Sequence, residues 1–231
     1  MTKLSTTILA TITLTIIAAM TATPAQAMKI FASEDARVAI SGGTDQGNLV
    51  GDTNSVLSVF GATDPTLDGS RNYYKFSLPN TGAASVVSAI IEIPLRLDTA
   101  PPPGRLARFA ESANETWSDA TINWTNQPGN GAAHVFEVDV SAAGQFKTYE
   151  FDVLSLLSDD LAGDGGDGVV SFMLADLRPD LGNSNYALIG RFNDHPNDSA
   201  NQARLILNTI PEPAALSLLG MGGLGLLRRR R

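Results

Sequence analysis

The side chains in this chain that could do chemistry include carboxylates, two tryptophans and two histidines, and the sequence contains no cysteine. Thiolate nucleophiles, disulfide bonds and cysteine-bound metals are therefore excluded. His134 and His195 are far apart in the sequence and fall in no metal-binding spacing such as His-x-x-x-His. We expect each to be a surface or strand residue rather than a catalytic base.

The motifs of common enzymes are missing from the sequence. It contains no Gly-x-Ser-x-Gly nucleophile elbow and no phosphate-binding glycine loop followed by a lysine. With 24 Asp and Glu residues, carboxylate pairs are abundant, but only their separation would identify a glycosidase. We therefore predict that the protein is not an enzyme, and a polysaccharide lyase or hydrolase with a scattered site is the less favoured alternative.

Four aspartates near a glycine-rich segment are the only candidate metal ligands: Asp159, Asp160, Asp164 and Asp167. Their oxygens suit Ca²⁺, and Asp164 and Asp167 lie within the glycine-rich run itself. The Asp-x-Asp-x-Asp-Gly spacing of a calcium loop is absent. We expect no cofactor, and a solvated turn before the next strand is the favoured interpretation.

Both tryptophans lie in the segment Trp117–Pro128. Its pattern predicts a short strand within a long loop, closed by a turn at residues 126–129. Most tryptophans are largely buried, so we expect both rings to anchor a core. The alternative is a flat platform on which sugars stack, and the candidate glycan-binding residues are then Tyr73, Trp117 and Trp124.

The elements that must position these residues are short strands separated by clusters of Gly, Asp, Asn and Pro. The clearest strand has an alternating apolar face predicted to lie in the core, and its members are Val87, Ala89, Ile91, Ile93, Leu95 and Leu97. Pro94 within it indicates a sheet edge or a bulge. Residues 41–48 are too rich in glycine for regular structure and are predicted to form a loop.

Two further patterns complete the prediction of the fold. Tyr74, Phe76 and Leu78 alternate with polar residues, so the opposite face of that strand is predicted to meet water. Residues 154–161 have leucines at helical spacing, which predicts one or two helical turns. Ten to a dozen short strands with almost no helix predict an all-β fold, an antiparallel β-sandwich of jelly-roll type.

The N-terminal residues 1–27 have the layout of a signal peptide. A lysine precedes an apolar run, and Ala25 and Ala27 form a small-residue cleavage site before Met28. Between residues 28 and 210, 11 basic and 23 acidic side chains give a net charge of −12. This charge disfavours nucleic acid and anionic lipid as partners. We predict an exported domain over residues 28–209.

The C-terminal residues 210–231 differ in kind from the rest. The motif Pro211, Glu212, Pro213 precedes an apolar, glycine-rich run at 214–227, and the chain closes with Arg228, Arg229, Arg230 and Arg231. The run predicts an apolar helix, short against the ~20 residues of an ordinary membrane crossing. The arginines hold that end on the cytoplasmic side, so we expect the tail to be a transient transmembrane anchor for an outside domain.

This tail resembles the PEP-CTERM sorting signal of Gram-negative bacteria, since motif, apolar span and basic cluster occur in order at the end of the chain. The resemblance implies recognition by an exosortase and the export machinery, and removal of the tail near Pro-Glu-Pro. It further implies release or attachment at the cell surface, often in bacteria that make exopolysaccharide.

A second resemblance covers nearly the whole domain. Residues 71–78, 87–91, 117–128, 149–153 and 203–207 are similar to successive blocks of the DNRLRE domain, which is similar to carbohydrate-binding module family 96. That family implies a non-catalytic β-sandwich. The chain departs from the pattern at residues 190–194, where Arg191 is kept but its acidic neighbour is displaced.

Taken together, the residues and the two resemblances predict a secreted cell-surface or matrix protein that binds or organises exopolysaccharide. The alternative is a purely structural or adhesion protein that contacts other proteins through sheet edges.

Overall fold

The computed structural model describes residues 26–48, 56–59, 69–80, 86–97, 106–139, 144–157, 161, 167–176, 188–191 and 199–210. Within these ranges the chain forms twelve β-strands. In chain order they are β1 (Gln26–Phe31), β2 (Glu34–Ser41), β3 (Thr44–Asn48), β4 (Val56–Val59), β5 (Gly69–Ser77), β6 (Val86–Leu97), β7 (Leu106–Ser112), β8 (Asn130–Glu137), β9 (Phe146–Asp152), β10 (Val169–Asp176), β11 (Leu188–Arg191) and β12 (Arg204–Thr209).

The strands form two antiparallel sheets of six strands each. The first sheet runs β1-β12-β6-β11-β4, with β9 on the other edge of β6. The second sheet runs β3-β2-β5-β10-β7-β8. The predicted all-β antiparallel sandwich is confirmed, because short alternating strands bury one face of each sheet against the other.

The main core lies between the two sheets and is rich in aromatic rings. Phe109 on β7 stacks on Phe151 of the other sheet, with ring centroids 4.5 Å apart, and on Phe172 of β10 at 5.1 Å. From β6, Ile91 and Ile93 are at most 1% exposed. Offset aromatic pairs of this kind add about 0.5–1.5 kcal/mol to the stabilisation from burial.

Strand β6 follows the predicted alternation only from Ala89 onward. Val87 was expected in the core but is 46% exposed, whereas Val86 is 7% exposed. The register with β12 shifts between Asn208 and Thr209, so Val87 is the extra residue of an irregularity and its side chain turns outward. The prediction for Val87 is therefore wrong.

Pro94 occupies a position where its missing N–H does little damage. On one edge of β6 it pairs with Thr148 of β9. On the other edge it falls between Glu92, the last residue paired with β12, and Arg96, the first paired residue beside β11. A proline is tolerated at such a junction because the ladder is already interrupted.

The second face of β5 does not meet water, in contrast to the prediction. Tyr73 is 0% exposed and Lys75 is 8% exposed, although both point away from the main core. The loop 113–129 covers them and forms a second, smaller core with Trp117 and Ile122. The strand predicted within Trp117–Pro128 is also wrong, since this segment consists of turns and irregular backbone.

The glycine-rich segment 41–48 is a β-hairpin rather than a loop. Ser41 pairs with Thr44, and Gly42 and Gly43 between them have φ values of 58° and 73°. Two positive φ angles make the tight two-residue turn that matches strand twist, and glycine adopts them without steric cost. The glycines thus build the hairpin that places β3 at the edge of the second sheet.

Helix is confined to two three-residue 3-10 turns in the described part of the chain, Leu154–Leu156 and Ser199–Asn201. The first agrees with the predicted helical turn near Leu154. Across the described ranges, no helix is long and apolar enough to cross a membrane. Residues 1–25 and 211–231, which hold most of the predicted signal peptide and the predicted apolar helix, lie outside the described residues.

Candidate functional site

The loop 113–129 is fastened to the second sheet by Lys75 of β5. Its ammonium nitrogen lies 3.0 Å from Glu34 Oε1, donates a hydrogen bond to the carbonyl of Trp117 and lies 4.5 Å from the centroid of that indole. Glu34 in turn accepts a hydrogen bond of 2.9 Å from the N–H of Asp119. A cation, a carboxylate and an aromatic face therefore hold the loop against strands β2 and β5.

Trp117 is a packing residue. Its side chain is 6% exposed, its Nε1 donates to Ser171 Oγ at 3.2 Å, and its ring meets the edge of Tyr73 at a centroid distance of 5.8 Å. A sugar ring needs a free indole face to stack on, and Trp117 offers none. The structure therefore removes Trp117 from the candidate sugar platforms.

Tyr73 is buried beneath the same loop. Its hydroxyl lies 2.9 Å from Gln127 Oε1 and 3.1 Å from the carbonyl of Pro128, and Arg71 donates to Gln127 Oε1 at 3.1 Å. Burial raises the pKa of Tyr73 to about 12, even though the Arg71 charge acts in the opposite direction. At 0% exposure Tyr73 is likewise corrected from a candidate platform to a core residue.

Trp124 is the one candidate ring that keeps access to solvent. It is half-buried at the margin of the small core, and the Arg71 guanidinium lies 4.9 Å from its ring centroid. Its backbone N–H donates to Asp45 Oδ1 at 3.2 Å. Arg71 on β5 thus lies over the Trp124 ring, and Asp45 of the hairpin β2–β3 holds the backbone of the same residue.

Polar groups around Trp124 are fixed by hydrogen bonds within the loop. The second oxygen of Asp45 accepts from the N–H and the hydroxyl of Thr125, at 3.0 and 2.9 Å. Asn123 and Asn126 each receive the backbone N–H of the other on a side-chain oxygen, at 3.0 and 2.7 Å. Thr125 and Asn126 remain exposed. A partly exposed tryptophan in a loop with ordered hydroxyl and amide groups suits a sugar, which has apolar faces and a polar rim.

The other candidate residues do not join this site. Asp167 Oδ1 accepts the N–H of Val169 at 2.9 Å, which is a turn contact, while Asp164 lies outside the described residues. No group of three His, Asp or Glu side chains suited to a metal occurs in the described ranges. His134 is exposed on β8, and His195 is not among the described residues. The solvated turn and its calcium-binding alternative both stay predictions.

The predicted processing residues fall mostly beyond the described ranges. Pro211, Glu212, Pro213 and the arginines 228–231 are not described, and neither is Ala25. Ala27 lies on β1, where it pairs with Asn208. Gln26 and Ala27 are therefore strand residues on the N-terminal side of the predicted cleavage point.

Arg71, Asp45 and Lys75 are neighbours of the candidate site that sequence reasoning missed. The alternation in β5 places Arg71, Tyr73 and Lys75 on one face, so the two cations could have been assigned to a common surface. Asp45 carried no such signal, because it lies 79 residues from Trp124 in the sequence.

Comparison with known proteins assigns two regions of the chain. The model of carbohydrate-binding module family 96 matches residues 26–208, and the PEP-CTERM protein-sorting motif matches residues 209–231. No curated protein matches the chain. The first match spans the described strands from β1 to β12. The chain therefore belongs to carbohydrate-binding module family 96 and carries a C-terminal PEP-CTERM sorting motif.

Proposed function

We propose that this protein is an exported, non-catalytic surface or matrix protein that binds polysaccharide through Trp124 and its polar border. Membership of a carbohydrate-binding family supports the ligand class, and the sorting motif supports export. The observation that carries the proposal is that Trp124, alone among the three aromatic candidates, is not fully buried.

The backbone of the site is preorganised by hydrogen bonds. Asp45, Asn123 and Asn126 already hold the loop backbone, so binding has little loop entropy left to remove. The Arg71 guanidinium behind Trp124 limits the rotation of the indole. A rigid aromatic surface with adaptable hydroxyl and amide groups at its edge favours one or two sugar units of a longer chain.

In our proposal, the C-terminal tail determines the location at which the domain binds polysaccharide. An exosortase recognises Pro211, Glu212 and Pro213 while the apolar span is in the inner membrane and the arginines stay on the cytoplasmic side. Processing near this motif then delivers the sandwich domain to the surface of a Gram-negative cell. There it binds or organises exopolysaccharide.

The proposal is tested with the full chain on an array of neutral and acidic polysaccharides. Wild-type protein is expected to be retained on at least one polysaccharide, and Trp124→Ala to weaken that retention by about tenfold or more, because the stacking surface is lost. Trp117→Phe is the matched control and keeps the retention, since its ring is not in contact with solvent.

Circular dichroism of each variant checks that the sandwich is intact. Absence of wild-type binding across the array, or equal retention of wild type and a folded Trp124→Ala variant, would rule out this site. Release of oligosaccharides during incubation would replace the binding proposal by the lyase or hydrolase alternative.

A further inference from the structure

Strand β8 is a long and open edge of the second sheet. It pairs with β7 on one side and is the last strand in its sheet. Seven of its eight residues are exposed, with Phe136 as the half-buried exception, and Val135 is 56% exposed. An exposed edge strand presents backbone N–H and C=O groups that can pair with another strand.

This edge lacks the features that protect other edges of the two sheets. The edge strand β1 carries the exposed Lys29, β9 carries the exposed Lys147, and the edge strands β3 and β4 are only five and four residues long. Strand β8 has no lysine, arginine or proline, and Glu137 at its end is its one charged residue. Lysines, prolines and short length are the usual means of blocking edge pairing.

The side-chain sizes along β8 are complementary to those along a second β8 strand that runs antiparallel to it. Its first half is small, with Gly131, Ala132 and Ala133, and its second half is large, with His134, Val135 and Phe136. In an antiparallel pair of two identical strands, the large half of one lies opposite the small half of the other. The two Glu137 carboxylates then lie at opposite ends, so like charges do not meet.

We infer that β8 pairs in antiparallel fashion with β8 of a second copy of this chain, joining two second sheets across a two-fold axis. Residues opposite each other must share a face, so Val135 lies against Ala133 or Gly131 of the other copy. These two registers place His134 or Ala133, respectively, opposite itself on the axis. The pairing is isologous and closes after two copies.

The consequence for binding rests on the proposed function, whereas the pairing itself does not. A dimer carries two Trp124 sites on one rigid, continuous sheet. Two weak sugar sites that engage one polysaccharide gain avidity through effective concentration, or they cross-link two polysaccharide chains. Strand β8, which lies outside the sugar site, thereby helps the protein to organise polysaccharide.

The first test introduces single cysteines. Any disulfide must then involve the introduced residue, because the full chain has no other cysteine. Ala133→Cys and His134→Cys are oxidised mildly at micromolar concentration, and Thr148→Cys on the exposed edge strand β9 is the matched control. One of the two β8 variants is expected to form a disulfide dimer faster than the control by about tenfold or more, because Cα atoms opposite each other across the strand pair fit disulfide geometry. Equal rates at all three positions would overturn the inference.

The second test needs no oxidation. Analytical ultracentrifugation of the full chain is expected to show a concentration-dependent dimer, which the double variant Ala133→Lys/Val135→Lys weakens by about tenfold or more because like charges then lie opposite each other. The control Met28→Lys/Thr148→Lys adds the same charge at exposed positions on the edges of the first sheet and keeps the dimer. A wild-type monomer at all concentrations, or a dimer insensitive to the β8 lysines, would contradict the pairing. Neither readout depends on sugar binding.

Discussion

Lys75 is a charged residue that is buried beneath the loop 113–129. It lies on β5 among residues that a simple alternation assigns to solvent, yet the loop 113–129 buries it. Its desolvated charge is compensated by Glu34, by the Trp117 carbonyl and by the indole face. Removing one member of such a set leaves the remaining groups without compensation, which costs more than the set itself stabilises.

We predict that Lys75→Ala lowers the free energy of unfolding by about 2–4 kcal/mol, because Glu34 and the Trp117 carbonyl lose their partner. Urea unfolding at neutral pH measures this loss. The control is Lys147→Ala, whose 2.6 Å ion pair with Asp139 is 46% and 34% exposed at the two side chains. An ion pair this exposed to solvent contributes little to stability, so Lys147→Ala is expected to lose clearly less than Lys75→Ala. Equal losses in the two variants would show that Lys75 does not fasten the loop.

The buried Tyr73 hydroxyl predicts a loss of stability at alkaline pH. Its pKa is about 12 in the folded state against an unfolded value near 10, so its contribution is complete below pH 10 and declines as the pH rises from 10 to 12. Each such tyrosine contributes a slope of up to about 1.4 kcal/mol per pH unit in that window. Burial also raises the pKa of Tyr74, so both hydroxyls act in the same direction.

Unfolding midpoints of wild type and Tyr73→Phe measured from pH 8 to pH 11.5 test this prediction. The stability of the variant is expected to decline less steeply above pH 10, although its stability at pH 8 is about 1 kcal/mol lower because the hydrogen bonds are lost. Parallel curves for the two proteins would mean that Tyr73 ionises equally well in both states.

Strand β6 offers the most direct test of how strand register decides which side chains are buried. The irregularity opposite Asn208 and Thr209 turns Val87 outward and leaves Ile91 in the core. We predict that Val87→Ser changes the free energy of unfolding by less than about 0.5 kcal/mol, whereas Ile91→Ala lowers it by about 2–5 kcal/mol. Thermal or urea unfolding measures both changes in the free energy of unfolding. A loss above about 2 kcal/mol for Val87→Ser would show that Val87 is a core residue.

The elements that depend on local pattern were predictable from the sequence. Alternation over Ala89 to Leu95 gave the correct inward face, and the leucines near 154 gave the correct helical turn. Two kinds of error remained. The tight Gly42-Gly43 turn was hidden by its composition, and the irregularity at Val87 depends on the partner strand β12. Neither feature produces a repeating pattern in the sequence of a single strand.

The candidate site was predictable only in part, for a similar reason. The sequence pointed to the segment Trp117–Pro128, but it did not separate the buried Trp117 from the half-exposed Trp124. That difference arises from residues far away in the chain, since Lys75 draws in the first indole and Asp45 holds the backbone of the second. Such contacts follow from the order of strands in the sheet rather than from the loop itself.

At the scale of the molecule, the two ends of the sandwich lie side by side. Gln26 of β1 pairs with Thr209 of β12, the residue at which the match to the sorting motif begins. The predicted leader and the sorting tail therefore join the domain at adjacent points on its first sheet. The opposite sheet, with Trp124 and β8, is free of both attachments in the described structure.

This arrangement leads to a prediction about the tail. Replacing Pro211, Glu212 and Pro213 by alanine is expected to leave the domain in the membrane fraction, because the apolar span and the four arginines remain but the processing motif is lost. Cell fractionation and the mass of the recovered chain measure this. Release of the variant at the wild-type level would show that the motif is not needed for processing.

The central claim is that Trp124 lies at the polysaccharide contact, and tryptophan fluorescence tests it most directly. The chain has two tryptophans, so the full-length Trp117→Phe variant reports Trp124 alone. On titration with a polysaccharide that the protein retains, we predict a blue shift of its emission and protection from a soluble quencher, both saturating with the binding curve. Saturable binding that leaves the emission and quenching of Trp124 unchanged would contradict the account.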